Sequence, residues 1–176
     1  WEHFSQASSL SFSDFSYFCY HLPFSKMAQK AHRHLAKVNK SELETEVIDN
    51  QIQGSLLYNK LMGNSYAAAL FIGFTSLIEN KSEDLCGKKI GFFSYGSGCV
   101  AEFFSGSLVE GYQQHLFTQK HQSMLDAREE INYQRYLELY NTPDPKNGET
   151  VEIAEDTTGL FRLSAIANHK REYIAR

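Results

Sequence analysis

The run Cys19-Tyr20-His21-Leu22-Pro23-Phe24-Ser25-Lys26-Met27 places an imidazole just ahead of a proline and a lysine. Beyond it Lys26, Lys30, Arg33 and Lys37 step by four, three and four residues, which puts all four cations on one helical face. A group that can move a proton or donate a hydrogen bond, set beside fixed positive charge, suits an anionic substrate with a reactive carbonyl. By spacing alone the cationic face reads equally as a solvated surface or as an anion cradle, the latter reinforced if the helix N-terminus also points at the ligand. Asn64, after Gly63, is a second polar signal, an amide placed to cap a following helix. Tyr95-Gly96-Ser97-Gly98 is a third. It lacks the spacing and the Lys-Ser/Thr pair of a phosphate-binding loop, and Tyr95 stands where a nucleophile elbow needs glycine. It is either a plain hairpin turn, or a place where backbone N–H groups and the Ser97 hydroxyl face a substrate between permissive glycines.

These residues need elements to hold them. Ser16 to Leu22 is aromatic-rich and bounded by polar residues, which predicts a buried strand stopped by Pro23. Met27, Ala28, Ala31, Leu35 and Val38 then recur at helical spacing from Ser25 onward, opposite the cations. Ser41 followed by Glu44 predicts a capping box and another helix. Gly54 to Asn80 reads as two helical pieces meeting at Gly63-Asn64. The second, Tyr66 to Ile78, is apolar nearly all round, which predicts burial on most sides. Lys89 to Ser94 and Cys99 to Phe104 read as strands flanking the glycine loop. Helical stretches are expected at Thr118–Glu130 and Asn132–Tyr140, a final short strand at Leu160–Ala165, and a polar tail after it. The mixture is α/β, with no obvious linker or repeat.

Bulk properties narrow the function classes. The 176 residues, 42% hydrophobic and 14% aromatic, can build a buried core of ordinary domain size. A net charge of -4 argues against nucleic acid as the main partner. The longest apolar block is far short of the ~20 residues of a membrane helix. No signal peptide is visible ahead of the aromatic start at Trp1. Cys19, Cys86 and Cys99 are odd in number and widely spaced, so a disulfide framework is not expected and a reducing cytoplasm is the default. His32 and His34 lie off a common helical face, and no carboxylate pattern completes a metal site. No metal is expected.

Taken together, three segments resemble one family. His21-Leu-Pro-Phe-Ser-Lys-Met27, Gly63-Asn64-Ser-Tyr66, and Gly91-Phe-Phe-Ser-Tyr-Gly-Ser-Gly98 followed by Ala101-Glu-Phe-Phe-Ser-Gly106 are similar in order and spacing to 3-hydroxy-3-methylglutaryl-CoA synthases of the compact bacterial type. The resemblance extends over essentially all of residues 1–176. It implies a thiolase-like layered αβαβα fold of which this chain is the second, C-terminal half only. The acyl-accepting cysteine and the general-base glutamate would then lie in an N-terminal half outside this sequence, and this fragment alone is expected to be inactive. The implied reaction is a Claisen-like condensation of acetyl-CoA with acetoacetyl-CoA, in the mevalonate route to isoprenoids. His21, Asn64 and Ser97 carry over as catalytic residues of the acetoacetyl side. Lys26, Lys30, Tyr66, Tyr95 and Gly96 carry over as substrate or CoA contacts. CoA thioesters are substrates, so no cofactor is implied; the expected partners are the N-terminal half and a second copy in a cytoplasmic homodimer. Ser65-Tyr66-Ala67-Ala68-Ala69-Leu70 departs from the commoner Tyr-Thr-x-Ser-Leu pattern, which bears on the acyl pocket. Two other readings stay open: a relative that β-branches carrier-protein-bound polyketides, and a non-catalytic thiolase-like binding module.

Overall fold

The computed structural model describes residues 1–176 apart from 97, 143, 144, 154, 156–158 and 176. The chain divides into two compact units, Trp1–Ala127 and Arg128–Arg176.

The first unit is built on a three-stranded sheet of order β1 (Tyr17–Tyr20), β2 (Lys89–Gly96), β3 (Val100–Ser107). β1 runs parallel to β2, with Tyr17 opposite Ile90 and Tyr20 opposite Phe93. β2 and β3 form an antiparallel hairpin in which Phe92 faces Phe104 and Phe93 faces Phe103. The period of two sorts the side chains onto two faces. Phe18 and Tyr20, with Phe93 and Phe103, join one core with Leu22, Ala28, Ala36 and Ile52. Tyr17, Cys19, Ile90 and Phe92 join the other with Leu70, Leu77 and Leu85. Both faces are covered, which is why β1 reads as unbroken aromatic sequence and is buried at every position.

Helices α1 (Glu2–Ser8), α2 (Ser25–Val38), α3 (Thr45–Gln53), α4 (Leu57–Met62), α5 (Ala68–Asn80) and α6 (Thr118–Asp126) surround the sheet. α2 buries Ala28, His32 and Ala36, one residue per turn, and leaves its cations outside. α2 to α5 make the crossover between the two parallel strands. Lys81, just past the end of α5, lies 4.7 Å over the ring of Tyr17 at the start of β1. The N-terminus of α5 is therefore at the opposite, carboxyl end of the parallel pair.

The expected strand at Ser16–Leu22 is shorter, Tyr17–Tyr20, because Leu22 turns into the core ahead of Pro23. The capping box expected at Ser41 and Glu44 does not form. Glu44 itself precedes α3 and makes no side-chain cap, while the Ser41 hydroxyl accepts from Leu43 N–H at 3.3 Å. A reciprocal pairing of that kind occurs instead at Ser11, whose N–H donates to the Asp14 carboxylate at 2.7 Å. α5 also departs from expectation. It buries Ala69, Leu70, Gly73, Ser76 and Leu77, but Ala67, Ala68 and Phe71 are exposed, Phe71 by 58%. Its apolar surface is wider than the elements of this chain cover.

One position on β2 tolerates no side chain. A methyl group at Gly91 would stand 2.7 Å from the Phe18 ring and 2.8 Å from the Phe103 ring. Phe18 is fully buried in the aromatic core, and Phe103 is partly buried against it. Gly91→Ala is expected to cost about 1–3 kcal/mol by overpacking, read from urea unfolding; an unchanged midpoint would mean the rings are free to move.

In the second unit α7 (Tyr133–Tyr140) is capped by Asn132, whose side-chain oxygen accepts from Arg135 N–H at 2.8 Å. A three-stranded antiparallel sheet follows in the order β4 (Val151–Glu152), β5 (Phe161–Ala167), β6 (Lys170–Ala175). The tail expected to be merely polar is thus a strand. Asn168 and His169 both take positive φ, 48° and 64°, which makes the two-residue turn that folds β6 back on β5.

Candidate active site

Each functional segment sits where an element ends. His21 follows the last residue of β1, and its backbone N–H donates to Phe93 O at 2.7 Å, extending the β1–β2 ladder by one bond. Its ring meets Tyr95 edge-on, with centroids 6.1 Å apart. Nδ1 of His21 is buried and has no hydrogen-bond partner among the described residues. A buried N–H without an acceptor is rarer and costlier than an unused lone pair. A neutral ring therefore keeps its proton on Nε2, which becomes the donor.

Pro23 turns the chain into α2, whose first residues Ser25 and Lys26 follow directly. No side chain caps this helix, so its first backbone N–H groups add to the positive end. Lys26, Lys30, Arg33 and Lys37 are all exposed on one face, as their spacing requires. Arg33 is not free to serve a ligand there. Its Nε donates to Asp49 Oδ1 of α3 at 2.8 Å and its Nη2 donates to Asp49 Oδ2, so its charge is spent on joining two helices. Lys26 and Lys30, in the first two turns of α2, keep exposed side chains.

The second segment is the connection 63–67 between α4 and α5. Asn64 does not cap α5; Ala67 holds that position without a side-chain bond. Instead the Asn64 Oδ1 accepts from Tyr66 N–H at 2.9 Å, which leaves its Nδ2 as the group free to donate elsewhere. Tyr66 sits at φ 52° and is 82% exposed. A left-handed tyrosine is strained backbone, and such strain gathers where a turn must present a particular group. Gly63 shares a cavity of about 250 Å³ with Leu22, Pro23, Phe24, Ser25, Asn59 and Lys60. The residues just after His21 and the residue just before Asn64 therefore line one space.

The third segment closes the set. Tyr95 and Gly96 end β2, where Tyr95 pairs with Ala101 and Gly96 with Val100 across the hairpin. Tyr95 is partly exposed beside His21. Ser97 lies outside the described residues. His21 and Tyr95 thus meet at the carboxyl end of the parallel strands, and the residues after His21 share a cavity with Gly63; this is the edge where open α/β sheets hold ligands.

Two polar clusters escaped the sequence reading. His32, discounted there as a metal ligand, is fully buried under β1. The Tyr20 hydroxyl donates to its Nδ1 at 2.9 Å, and its Nε2 donates to Gln51 Oε1 at 3.1 Å. The orientation follows from Gln51 Nε2, which donates to Phe15 O at 3.2 Å and so turns the amide oxygen toward the imidazole. Burial pulls the His32 pKa down to about 4 against the bonds from its neighbours, which raise it. This chain of bonds ties α2 and α3 to β1 one residue before His21. The other cluster lies at the far end of α5. Glu79 there accepts from Tyr58 Oη at 2.7 Å, His121 Nδ1 at 2.9 Å and Phe117 N–H at 3.1 Å. Burial pushes this carboxyl up, but the bonds from His121, Tyr58 and Phe117 outweigh it and hold it below its usual range. No local spacing announces either cluster, because the partners come from separate elements.

Among the described residues no helix is long and apolar enough to cross a membrane. Among them, too, no group of three or more His, Cys, Asp or Glu side chains could hold a metal ion. Cys19 is buried, while Cys86 and Cys99 are exposed and free.

Residues 34–158 match the family model for the hydroxymethylglutaryl-coenzyme A synthase C terminal. The hydroxymethylglutaryl-CoA synthase of Enterococcus faecalis is 38% identical over 175 residues, which cover 98% of this chain and 44% of that protein. A polyketide biosynthesis 3-hydroxy-3-methylglutaryl-ACP synthase of Bacillus subtilis is 37% identical over 130 residues, 72% of this chain and 30% of that one. Among solved structures, an HMG-CoA synthase complexed with CoA superposes with a TM-score of 0.86 at 32% identity, over 100% of this chain and 45% of the other. The curacin-pathway HMG synthase with holo donor-ACP gives a TM-score of 0.89 at 25% identity, over 99% and 47%. The chain spans less than half the length of each of these relatives.

Proposed function

The chain belongs to the hydroxymethylglutaryl-CoA synthase family and has its thiolase-like fold, and from that premise we propose that it forms the acetoacetyl side of the condensing site. The whole enzyme would join acetyl-CoA to acetoacetyl-CoA and release 3-hydroxy-3-methylglutaryl-CoA, a step of the mevalonate route. The observation that supports the reading is the contact of His21 with Tyr95 at one end of the parallel strands, with the residues after His21 sharing a cavity with Gly63.

Acetyl-CoA acylates a cysteine of the N-terminal half, and a glutamate of that half removes a methyl proton. The resulting carbanion attacks the ketone of acetoacetyl-CoA, forming the new C–C bond and an alkoxide, which takes up the proton held by that glutamate and becomes the 3-hydroxyl. The Nε2–H of His21 and Nδ2–H of Asn64 donate to the oxygens of the acetoacetyl group, where charge grows during attack. Ser97, in its glycine loop, adds a donor for the intermediate. Water then cleaves the cysteine thioester, freeing the enzyme and the product. Lys26 and Lys30 face the CoA phosphates, and Tyr66, Tyr95 and Gly96 line the approach. The N-terminal half covers the exposed face of α5 around Phe71. No cofactor enters this chemistry, and the setting is a cytoplasmic homodimer.

A second reading is favoured by the similarity to the Bacillus subtilis and curacin-pathway proteins, whose names and complexes involve a carrier protein. There the same apparatus would act on a β-keto group carried by phosphopantetheine on a protein. Condensation assays on the full-length protein separate the two. Turnover of free acetoacetyl-CoA is expected, and Lys26→Glu or Lys30→Glu should raise KM for the CoA substrates about tenfold with a smaller change in kcat. Strict dependence on a carrier protein would replace the first reading with the second. An unchanged KM would return the two lysines to the role of a solvated surface.

A further inference from the structure

We propose that Asn59 is the positioning residue for Asn64, a clamp that holds both ends of the turn from which Asn64 donates. The inference rests on the role given to Asn64 above. The backbone carbonyl of Asn59 accepts from Gly63 N–H at 2.9 Å, which closes the end of α4. Its side-chain Nδ2 donates to Ala69 O, in the first turn of α5, at 3.1 Å and to Ser55 O at 3.5 Å. The connection 63–67 hangs between those two attachments. Inside it the remaining bonds are short-range: Tyr66 N–H to Asn64 Oδ1, Ala68 N–H to Ser65 O and Ala69 N–H to Tyr66 O. They shape the turn but do not tie it to α4.

The surroundings are cut to fit this amide. A methyl at Gly73, one turn along α5, would lie 3.1 Å from Ser55 O and 3.2 Å from Asn59 Nδ2. The helix is bare where the amide crosses. The amide cannot flip, since that would set its oxygen against two carbonyls. Its Oδ1 is buried with no partner among the described residues, which destabilises the fold. Against that cost stands the pair of bonds made by Nδ2. Further along the seam, Ser76 Oγ accepts from Tyr58 N–H at 3.2 Å and donates to Gly54 O at 2.6 Å. That serine secures the start of α4, and Asn59 secures the end nearest the site.

The test uses the full-length enzyme carrying Asn59→Asp, which keeps the shape and replaces the donor by an acceptor facing two carbonyls. Asn59→Ser, shorter and uncharged, serves if the aspartate variant does not fold. Both are compared with Asn64→Ala and with the double variant. Amide exchange should speed up in residues 63–69 and not in β1 or β2. Use of acetoacetyl-CoA, as kcat/KM, should fall about tenfold or more, while acetylation of the nucleophile by acetyl-CoA stays within about threefold. In the double variant the loss should equal that of Asn64→Ala alone. Unchanged exchange in the turn, additive losses, or an equal fall in both half-reactions would overturn the clamp. Faster exchange confined to the turn, with Asn64→Ala leaving acetoacetyl-CoA use intact, would keep the clamp and remove the catalytic role of Asn64.

Discussion

In the complete enzyme His21→Ala loses acetoacetyl-CoA turnover by about 10²–10³-fold, the scale of a deleted oxyanion donor, while acetylation of the nucleophile by acetyl-CoA is nearly unchanged. The asymmetry follows from where the imidazole is held. The backbone of His21 is fixed by its bond to Phe93 O, and the ring is braced by Tyr95. Among the described residues Nδ1 is buried without a partner, so the ring has Nε2 to offer. On the proposed reading that donor serves the oxygens of the second substrate and has no part in forming the acyl-enzyme. His21→Gln is expected to recover some of the loss, since an amide N–H extends in a similar direction. Single-turnover acetylation and steady-state condensation, measured on the same preparations, check the split. Equal losses in both steps would assign His21 to the fold or to the acylation step.

Acid weakens the fold through His32. The imidazole is neutral when buried, with its pKa drawn down to about 4 from an ordinary 6.5. Between those values the unfolded chain binds a proton that the folded chain refuses, so folding stability falls as pH drops through that window and is fully present above it. The accumulated loss between about pH 7 and about pH 4 is about 3 kcal/mol for this one group. Carboxylates held low in the fold, such as Glu79, add their own loss at still lower pH. The His32 part is isolated by comparison with His32→Gln, which can bridge Tyr20 and Gln51 but does not titrate. The stability gap between the two proteins should shrink by that amount on acidification, measured by urea unfolding at several pH values. A gap that stays constant would show that the imidazole is not held neutral by its surroundings.

Sequence made the local architecture of the site readable, because local physics dictates it. Pro23 had to end the strand of His21, the Met27–Val38 spacing had to make a helix with its cations outward, and Gly63-Asn64 had to break two helices. What sequence left hidden depends on partners far along the chain. Arg33 looked like one of four equivalent cations until Asp49 was brought against it by α3. His32 was set aside as a metal ligand, yet Tyr20 and Gln51, on two other elements, make it the polar centre of a core. β6 was unreadable for another reason: all six of its residues are exposed, so it carries no alternation of apolar and polar side chains. The apolar girth of α5 was read as burial on most sides, whereas in this structure one side of it is covered and Phe71 stands exposed. The approach of the His21 segment to Tyr95 and to Gly63 was visible only as their order in a family pattern. The parallel pairing of β1 with β2 is what turns that order into proximity.

The thiol of Cys19 gives the sheet an internal clock. It is buried on β1 between α5 and β2, and burial pushes its ionisation far above the ordinary thiol range. Cys86 and Cys99 are open to solvent. A brief pulse of an alkylating reagent therefore marks two cysteines at once and the third only when β1 comes away from its neighbours. The mass of the labelled chain counts the molecules that have opened, one strand deep, directly beneath His21.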